Sequence, residues 1–197
     1  EFFQALYGDT EANIYLWTMP DKRTRVFSAA RIQDMANTAL GLSAAGQNVY
    51  FGVGACAPGL GQYERPKADA VRAIPALWCD IDIAGAGHAS SALPPDIAAA
   101  QSLLPPALPP SIVVHSGNGL HAYWLLNELW ELEGDDRDYA AGLLRSVQGY
   151  IRAQAQMHGW IVDATADLPR VLRCPDTINY KDPARPKQCV VISATGA

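Results

Sequence analysis

Cysteine is scarce and wrongly spaced for a metal knuckle. Cys56, Cys79, Cys174 and Cys189 form no C-x-x-C pair, so no zinc is expected and buried, reduced thiols are. No apolar run approaches the roughly 18 residues of a membrane span, and no basic, apolar, small-residue leader opens the chain. A cytoplasmic location and no membrane partner are the expectation. Positive charge is also short: 15 Lys and Arg stand against 20 Asp and Glu, a formal net charge of −5. That balance withholds the usual advertisement of nucleic-acid binding, but leaves a local basic patch open. There is no internal repeat and no long linker. The first residue is Glu1 and not Met, and the expectation is a piece of something longer.

What is present is globular. With 49% hydrophobic and 18% charged residues in 197, the chain fits one domain, or two small lobes sharing a core. A helical turn is predicted at Phe2–Tyr7, a strand at Asn13–Met19, a basic turn PDKRTR, and a second strand at Val26 and Phe27. Ser28 suits the N-cap of a helix running to a stop at Gly46. VYFGVG (49–54) reads as a strand. The Gly-, Ala- and Pro-rich stretch 83–110 leaves room for a short helix at 95–104. SIVVHS and LHAYWLL, separated by Gly117-Asn118-Gly119, read as a hairpin. Asp135 or Asp136 caps the longest helix, to about His158. A helical turn fits Asp167–Leu172, and CVVIS (189–193) is a last strand. Hairpins among helices make this α+β and not a doubly wound parallel sheet.

Three stretches can carry chemistry. IPALWCDIDI (74–83) has the composition of a buried strand yet holds two aspartates. Side chains at i and i+2 share a strand face, so Asp80 and Asp82 lie side by side, with Cys79, Ile81 and Ile83 opposite. Two adjacent carboxylates repel and are costly to desolvate; a divalent cation is one way to offset that. In SGNGLHAYW (116–124), Gly117 and Gly119 allow a tight turn whose N–H groups can face an anion. Ser116 and His121 flank it as further donors, and His121 shares a face with Tyr123 and Leu125. DATADLPRVLRCPDTINYK (163–181) adds an acid at Asp163, a second at Asp167, then Arg170, Arg173, Asn179 and Lys181. One helical turn would put Arg170 and Arg173 on one side. Each stretch also has a bland reading: an exposed acidic pair, a plain hairpin, a solvated basic face. Together, carboxylates for Mg²⁺ or Mn²⁺ and cations for a triphosphate point to nucleotidyl transfer.

In this order the motifs resemble the catalytic core of the archaeo-eukaryotic primase (AEP) superfamily, in particular the primase-polymerases of plasmids, phages and CRISPR-linked loci. The acidic motif is Asp80-Ile81-Asp82, the serine-to-histidine motif Ser116–His121, and the third acid precedes RVLRCPDTINYK, with Asp176 where the family's run has Gly. The resemblance spans about 49–193. It implies a two-lobed α+β core with an RRM-like antiparallel catalytic sheet packed by helices: one domain over 1–197, with an N-terminal α/β part at 1–70 and the catalytic module at 71–197. It implies DNA primase or polymerase activity with one or two Mg²⁺ or Mn²⁺ ions, a DNA template and primer, ribo- or deoxyribonucleoside triphosphates, and a helicase or accessory domain in a longer protein. By carry-over Asp80, Asp82 and Asp163 hold metal, with Asp167 the alternative third ligand. Ser116, Gly117, Gly119, His121, Arg170, Arg173 and Lys181 contact the nucleotide. Arg65, Lys67 and Arg72 are template contacts on charge grounds only. The competing readings are a metal-dependent nuclease or phosphohydrolase and a non-catalytic nucleic-acid-binding module.

Overall fold

A computed structural model describes residues 1–8, 10–85 and 92–194; of the 83–110 stretch, residues 86–91 lie outside the described residues. The elements run α1 (Phe2–Tyr7), β1 (Asn13–Met19), β2 (Arg23–Ser28), α2 (Ile32–Ala44), β3 (Asn48–Gly52), β4 (Ala55–Cys56), β5 (Val71–Asp82), α3 (Ile97–Gln101), β6 (Ile112–His115), β7 (Gly119–Glu131), α4 (Asp136–Met157), β8 (Val171–Arg173), β9 (Ile178–Asn179), β10 (Lys187–Gln188) and β11 (Val190–Ala194). A nine-stranded sheet has the order β11-β6-β7-β5-β4-β1-β3-β8, with β2 on β1, and its pairs are antiparallel. The sheet is continuous from the N-terminal strands into the C-terminal ones, and β8 returns to pair with β3. The mixed α+β class read from the hairpins is the observed one.

The sheet is packed on both faces because its central strands alternate apolar residues on both. On one face Trp78 and Tyr123 join Phe51 and the α1 side chains Phe2 and Phe3. Those rings meet edge to face, with centroids 5.3–5.5 Å apart for Phe2–Phe51, Phe3–Phe51 and Phe2–Tyr123. The Tyr7 hydroxyl donates to Gly52 O at 2.8 Å and fixes α1 to β3. On the other face Cys79, Ile81, Leu120 and Ala122 pack against Ile151 and Ala155 of α4 and Ala100 of α3.

Two irregularities follow from single residues. Pro75 lies inside β5, where a missing N–H should break the ladder. The register slips there: Ile74 pairs with Trp130 and Ala76 with Leu125, so β7 bulges opposite the proline. Along α4 the buried stripe is Ala140, Leu144, Gln148, Ile151 and Ala155, a helical spacing with a polar residue in its centre. Gln148 is satisfied there, accepting from Thr165 N at 2.8 Å and donating to Trp78 O at 3.4 Å. Asp135 stands at the N-cap of α4 without a side-chain cap bond; Asp136 and Asp138 lie in its first turn, where acids favour the helix dipole.

The expected helical turn over 167–172 is not formed. Val171–Arg173 is strand β8, preceded by a turn in which Arg170 N donates to Asp167 O at 3.1 Å. Pro169 removes one backbone donor, and pairing with β3 overrides the local helical pattern.

Candidate active site

Strand alternation brings the acidic pair to one place. Asp80 and Asp82 continue the face that carries Trp78, beyond the aromatic cluster, while Cys79 and Ile81 are buried on the other side. Antiparallel pairing sets Asp80 opposite His121 and Asp82 opposite Gly119. Gly119 is required by this contact, because a Cβ at that position would stand 2.5 Å from Ile81 O. The β6–β7 turn is Ser116-Gly117-Asn118, with Gly117 at φ +91°, a conformation side chains disfavour.

His121 is 3% exposed. Its Nε2 lies 3.6 Å from Asp80 Oδ1 and its Nδ1 3.5 Å from the Tyr123 hydroxyl. Burial drives its pKa down to about 3; Arg173 adds to that and Asp82 opposes it. The ring is therefore neutral at neutral pH. Burial also keeps the Tyr123 phenol protonated. With the phenol donating towards Nδ1, the imidazole hydrogen is assigned to Nε2, which faces the carboxylate.

The opposing wall is basic, and β8 builds it. Arg173 pairs with Tyr50 across β3–β8. Its Nη1 donates to Asn48 Oδ1 at 2.7 Å, and its guanidinium lies 4.7 Å from the Tyr50 ring centroid. The cation is thus held by an amide below and a ring face beside it. Asn48 Oδ1 also accepts from Tyr180 N at 2.9 Å, which ties the following segment to β3. Asn179 then fixes the Ser116 turn, donating from Nδ2 to Ser116 O at 2.8 Å and accepting from Lys181 N at 2.9 Å. Lys187 Nζ donates to Asn118 Oδ1 at 2.8 Å.

Asp80, Asp82, Ser116, His121, Arg173 and Lys181 consequently line one cavity of about 390 Å³. Several residues named from sequence lie elsewhere. Asp163 is exposed in the segment after α4 and does not line the cavity; its neighbour Val162 packs with Cys79 and Ile81 on the far side of the sheet. Asp167 and Arg170 are ion-paired to each other, with Arg170 Nε 2.7 Å from Asp167 Oδ1, and neither lines the cavity. Arg170 stays in the turn, paired to Asp167, while Arg173 is carried to the cavity by β8, which is why the two part company. Arg65 and Lys67 are exposed on the loop before β5. Arg72 is the second residue of β5, eight residues from Asp80 and roughly 25 Å away at strand rise. It faces a larger cleft of about 1010 Å³ among Glu11, Glu128, Glu131 and Glu133. There Arg137 is engaged by the carbonyls of Ala68 and Val71.

Among the lining residues not selected from sequence are Asn48, Tyr50 and Asn118. Asn48 and Tyr50 alternate with buried Val49 and Phe51, so their common face was readable. Their link to Arg173 was not, because it depends on a pairing between distant strands.

Chemically, two carboxylates face a guanidinium and an ammonium across a solvent-open space. Among the described residues no cluster of three or more His, Cys, Asp or Glu is arranged to hold a metal. The pair therefore suits a hard cation that takes its remaining ligands from water and phosphate oxygens, as Mg²⁺ does.

No family model matches the sequence, and no curated protein matches it. Solved structures do. The AEP domain of the cyanophage S-2L primase-polymerase superposes with a TM-score of 0.57 at 18% identity, covering 100% of this chain and 89% of that one. Primase RepB′ gives 0.55 at 15% identity, over 99% of this chain and 55% of that one. The catalytic domain of primase RepB′ in complex with initiator DNA gives 0.53 at 16%, over 99% and 82%. The chain has the fold of the primase-polymerase AEP domain: an antiparallel sheet packed by helices.

Proposed function

We propose that this chain is a nucleotidyltransferase of the AEP superfamily, acting as a DNA primase, a DNA-directed polymerase or both. The observation that carries the reading is the opposition of Asp80 and Asp82 to Arg173 and Lys181 in one cavity, a charge pattern complementary to a cation-bound triphosphate. Asp80 and Asp82 would hold Mg²⁺ or Mn²⁺. Such an ion, when bound, supplies charge neutralisation at the reacting phosphate and lowers the pKa of the attacking hydroxyl.

The chain's own groups divide the remaining work. A primer 3′-hydroxyl, or that of a first nucleotide, attacks the α-phosphorus, and the bond to pyrophosphate breaks. Arg173, fixed by Asn48 and Tyr50, holds phosphate oxygens with a pre-set guanidinium. Lys181 adds a second cation to the same cavity. Ser116 donates a hydrogen bond to the same oxygens, and the neutral His121, with its Nε2–H facing Asp80, orients that carboxylate without adding a charge. The two-carboxylate set supports one cation centre; the position of Asp163 lends no support to a second.

The test is incubation with a single-stranded template, Mg²⁺ or Mn²⁺ and labelled nucleotides, with and without a primer. New product without primer identifies a primase, and lengthening only with primer a polymerase. Shortening of a labelled primer identifies a nuclease and overturns the reading, as does metal-independent binding with no product.

A further inference from the structure

Beside the cavity, the N-terminal strands present a second arrangement, of which the proposed nucleotide site uses only the Arg173–Tyr50 end. Among the described residues there are three guanidinium–ring pairs: Arg23 over Tyr63 at 6.0 Å, Arg65 over Trp17 at 6.0 Å, and Arg173 over Tyr50 at 4.7 Å. All three fall on one part of the molecule. Trp17 and Tyr50 are cross-strand partners on β1 and β3. Arg65 Nη2 reaches Pro169 O at 3.4 Å, two residues before Val171 at the cavity wall. The loop bearing Tyr63 is fastened to β2 by Thr24 N donating to Gln62 O at 2.7 Å. Arg65 and Trp17 adjoin Tyr50 and Arg173 at the cavity, and Tyr63, two residues before Arg65, meets Arg23 at the start of β2.

The charge of this region runs against that of the chain. Lys22, Arg23, Arg25, Arg65 and Lys67 lie on the β1–β2 hairpin and its covering loop, in a protein of net charge −5. Of the acids there, Asp21 and Glu64 are engaged locally, and Asp69 lies further along the loop. Asp21 accepts from Thr18 Oγ1 at 2.6 Å and lies 3.8 Å from Arg25, and Glu64 Oε2 accepts from Gly61 N at 3.1 Å. Tyr63 is 65% exposed, with the Arg23 guanidinium 6.0 Å from its ring centroid. Alternating guanidinium groups and ring faces are what a single strand needs: phosphates for the cations, base faces for the ring.

We infer that the Tyr63–Arg23–Arg65 surface is a track for single-stranded nucleic acid, with a base stacked on Tyr63 and phosphates on Arg23 and Arg65, leading to the Asp80–Asp82 cavity. As a template track it rests on the proposed function; as a binding surface it does not. The ring accepts any base, so binding is sequence-tolerant.

The experiment is fluorescence anisotropy of a labelled dT20 oligonucleotide with the full chain, without divalent metal or nucleotide. Tyr63→Ala should weaken binding about five- to a hundredfold, the range of a lost base–ring stack, and Tyr63→Phe should restore it. Arg23→Ala/Arg65→Ala should lower the slope of log K against log[salt] by about 1.4, at roughly 0.7 per phosphate contact on a single strand. Unchanged affinity in Tyr63→Ala, or an unchanged slope in the double variant, overturns the track. Tyr63-dependent binding by a wild-type protein that adds no nucleotide leaves the track standing and removes the enzyme. Extension with Tyr63-independent binding does the reverse.

Discussion

Replacing Gly119 by alanine tests whether the β5–β7 ladder sets the site. The added Cβ would stand 2.5 Å from Ile81 O, 3.1 Å from Asp82 Cα and 3.2 Å from Ile81 C. An ordinary contact begins at 3.4 Å, so the shortfall at the carbonyl is about 0.9 Å. All three atoms are backbone, and no side chain can swing aside. The two strands must separate where Asp82 pairs with Gly119. Overpacking of this kind costs about 1–3 kcal/mol, and the backbone contacts argue for the upper half. A domain with the usual ~5–15 kcal/mol stays folded. A displacement near 1 Å at Asp82 should lower nucleotide addition about 100-fold. Urea unfolding measures the first effect and primer extension the second. Gly149→Ala is the control: it lies in α4 with nothing within 4 Å of the new Cβ and should gain about 0.5–1 kcal/mol. A Gly119→Ala protein within 0.5 kcal/mol of wild type, extending primers at the wild-type rate, would refute the reasoning.

Acid should destabilise the fold through His121. Its folded pKa of about 3 lies below the ordinary 6.5, so between those values the unfolded chain binds a proton that the folded chain excludes. The stability is complete above pH 6.5 and falls as pH drops, by about 2 kcal/mol at pH 5. Urea midpoints at pH 7.5 and 5 should show that loss in wild type and not in His121→Gln. Arg173→Lys should raise the nucleotide KM about 10–100-fold with a smaller change in kcat, because an ammonium keeps the charge but loses the fork and the Tyr50 face; steady-state titration decides. Asp176 has φ +63°, a left-handed conformation that costs side chains energy. Asp176→Gly should gain up to about 1 kcal/mol in thermal unfolding, and a clear loss would contradict that account of the turn.

What was legible in the sequence is what short-range periodicity encodes. The alternation in WCDID sorts Asp80 and Asp82 from Cys79 and Ile81 without knowledge of the partner strand. The Gly117-Asn118-Gly119 turn fixes a hairpin between adjacent segments, and that hairpin carries His121 to a known face. Asp176 stands in a left-handed turn, which Asp tolerates better than most residues. The basic wall was less legible. Arg173 reaches the site through β8 pairing with β3, and its bond to Asn48 spans 125 positions; no local pattern encodes that register. The same pairing turned an expected helical turn into strand and separated Arg170 from Arg173. Asp163 was chosen because it ends an apolar run, but that run packs through Val162 on the opposite side of the sheet. β9 and β10, two residues each, are too short to carry a period at all.

The central claim is that Asp80 and Asp82 hold the cation at which nucleotides are joined. The direct measurement compares wild type with Asp80→Asn/Asp82→Asn on a primed single-stranded template in Mg²⁺ or Mn²⁺, with circular dichroism confirming matched folds. The account predicts metal-dependent lengthening by wild type and none by the folded double variant. Lengthening by the double variant at the wild-type rate, or a folded wild type that never extends a primer or starts one, would contradict it.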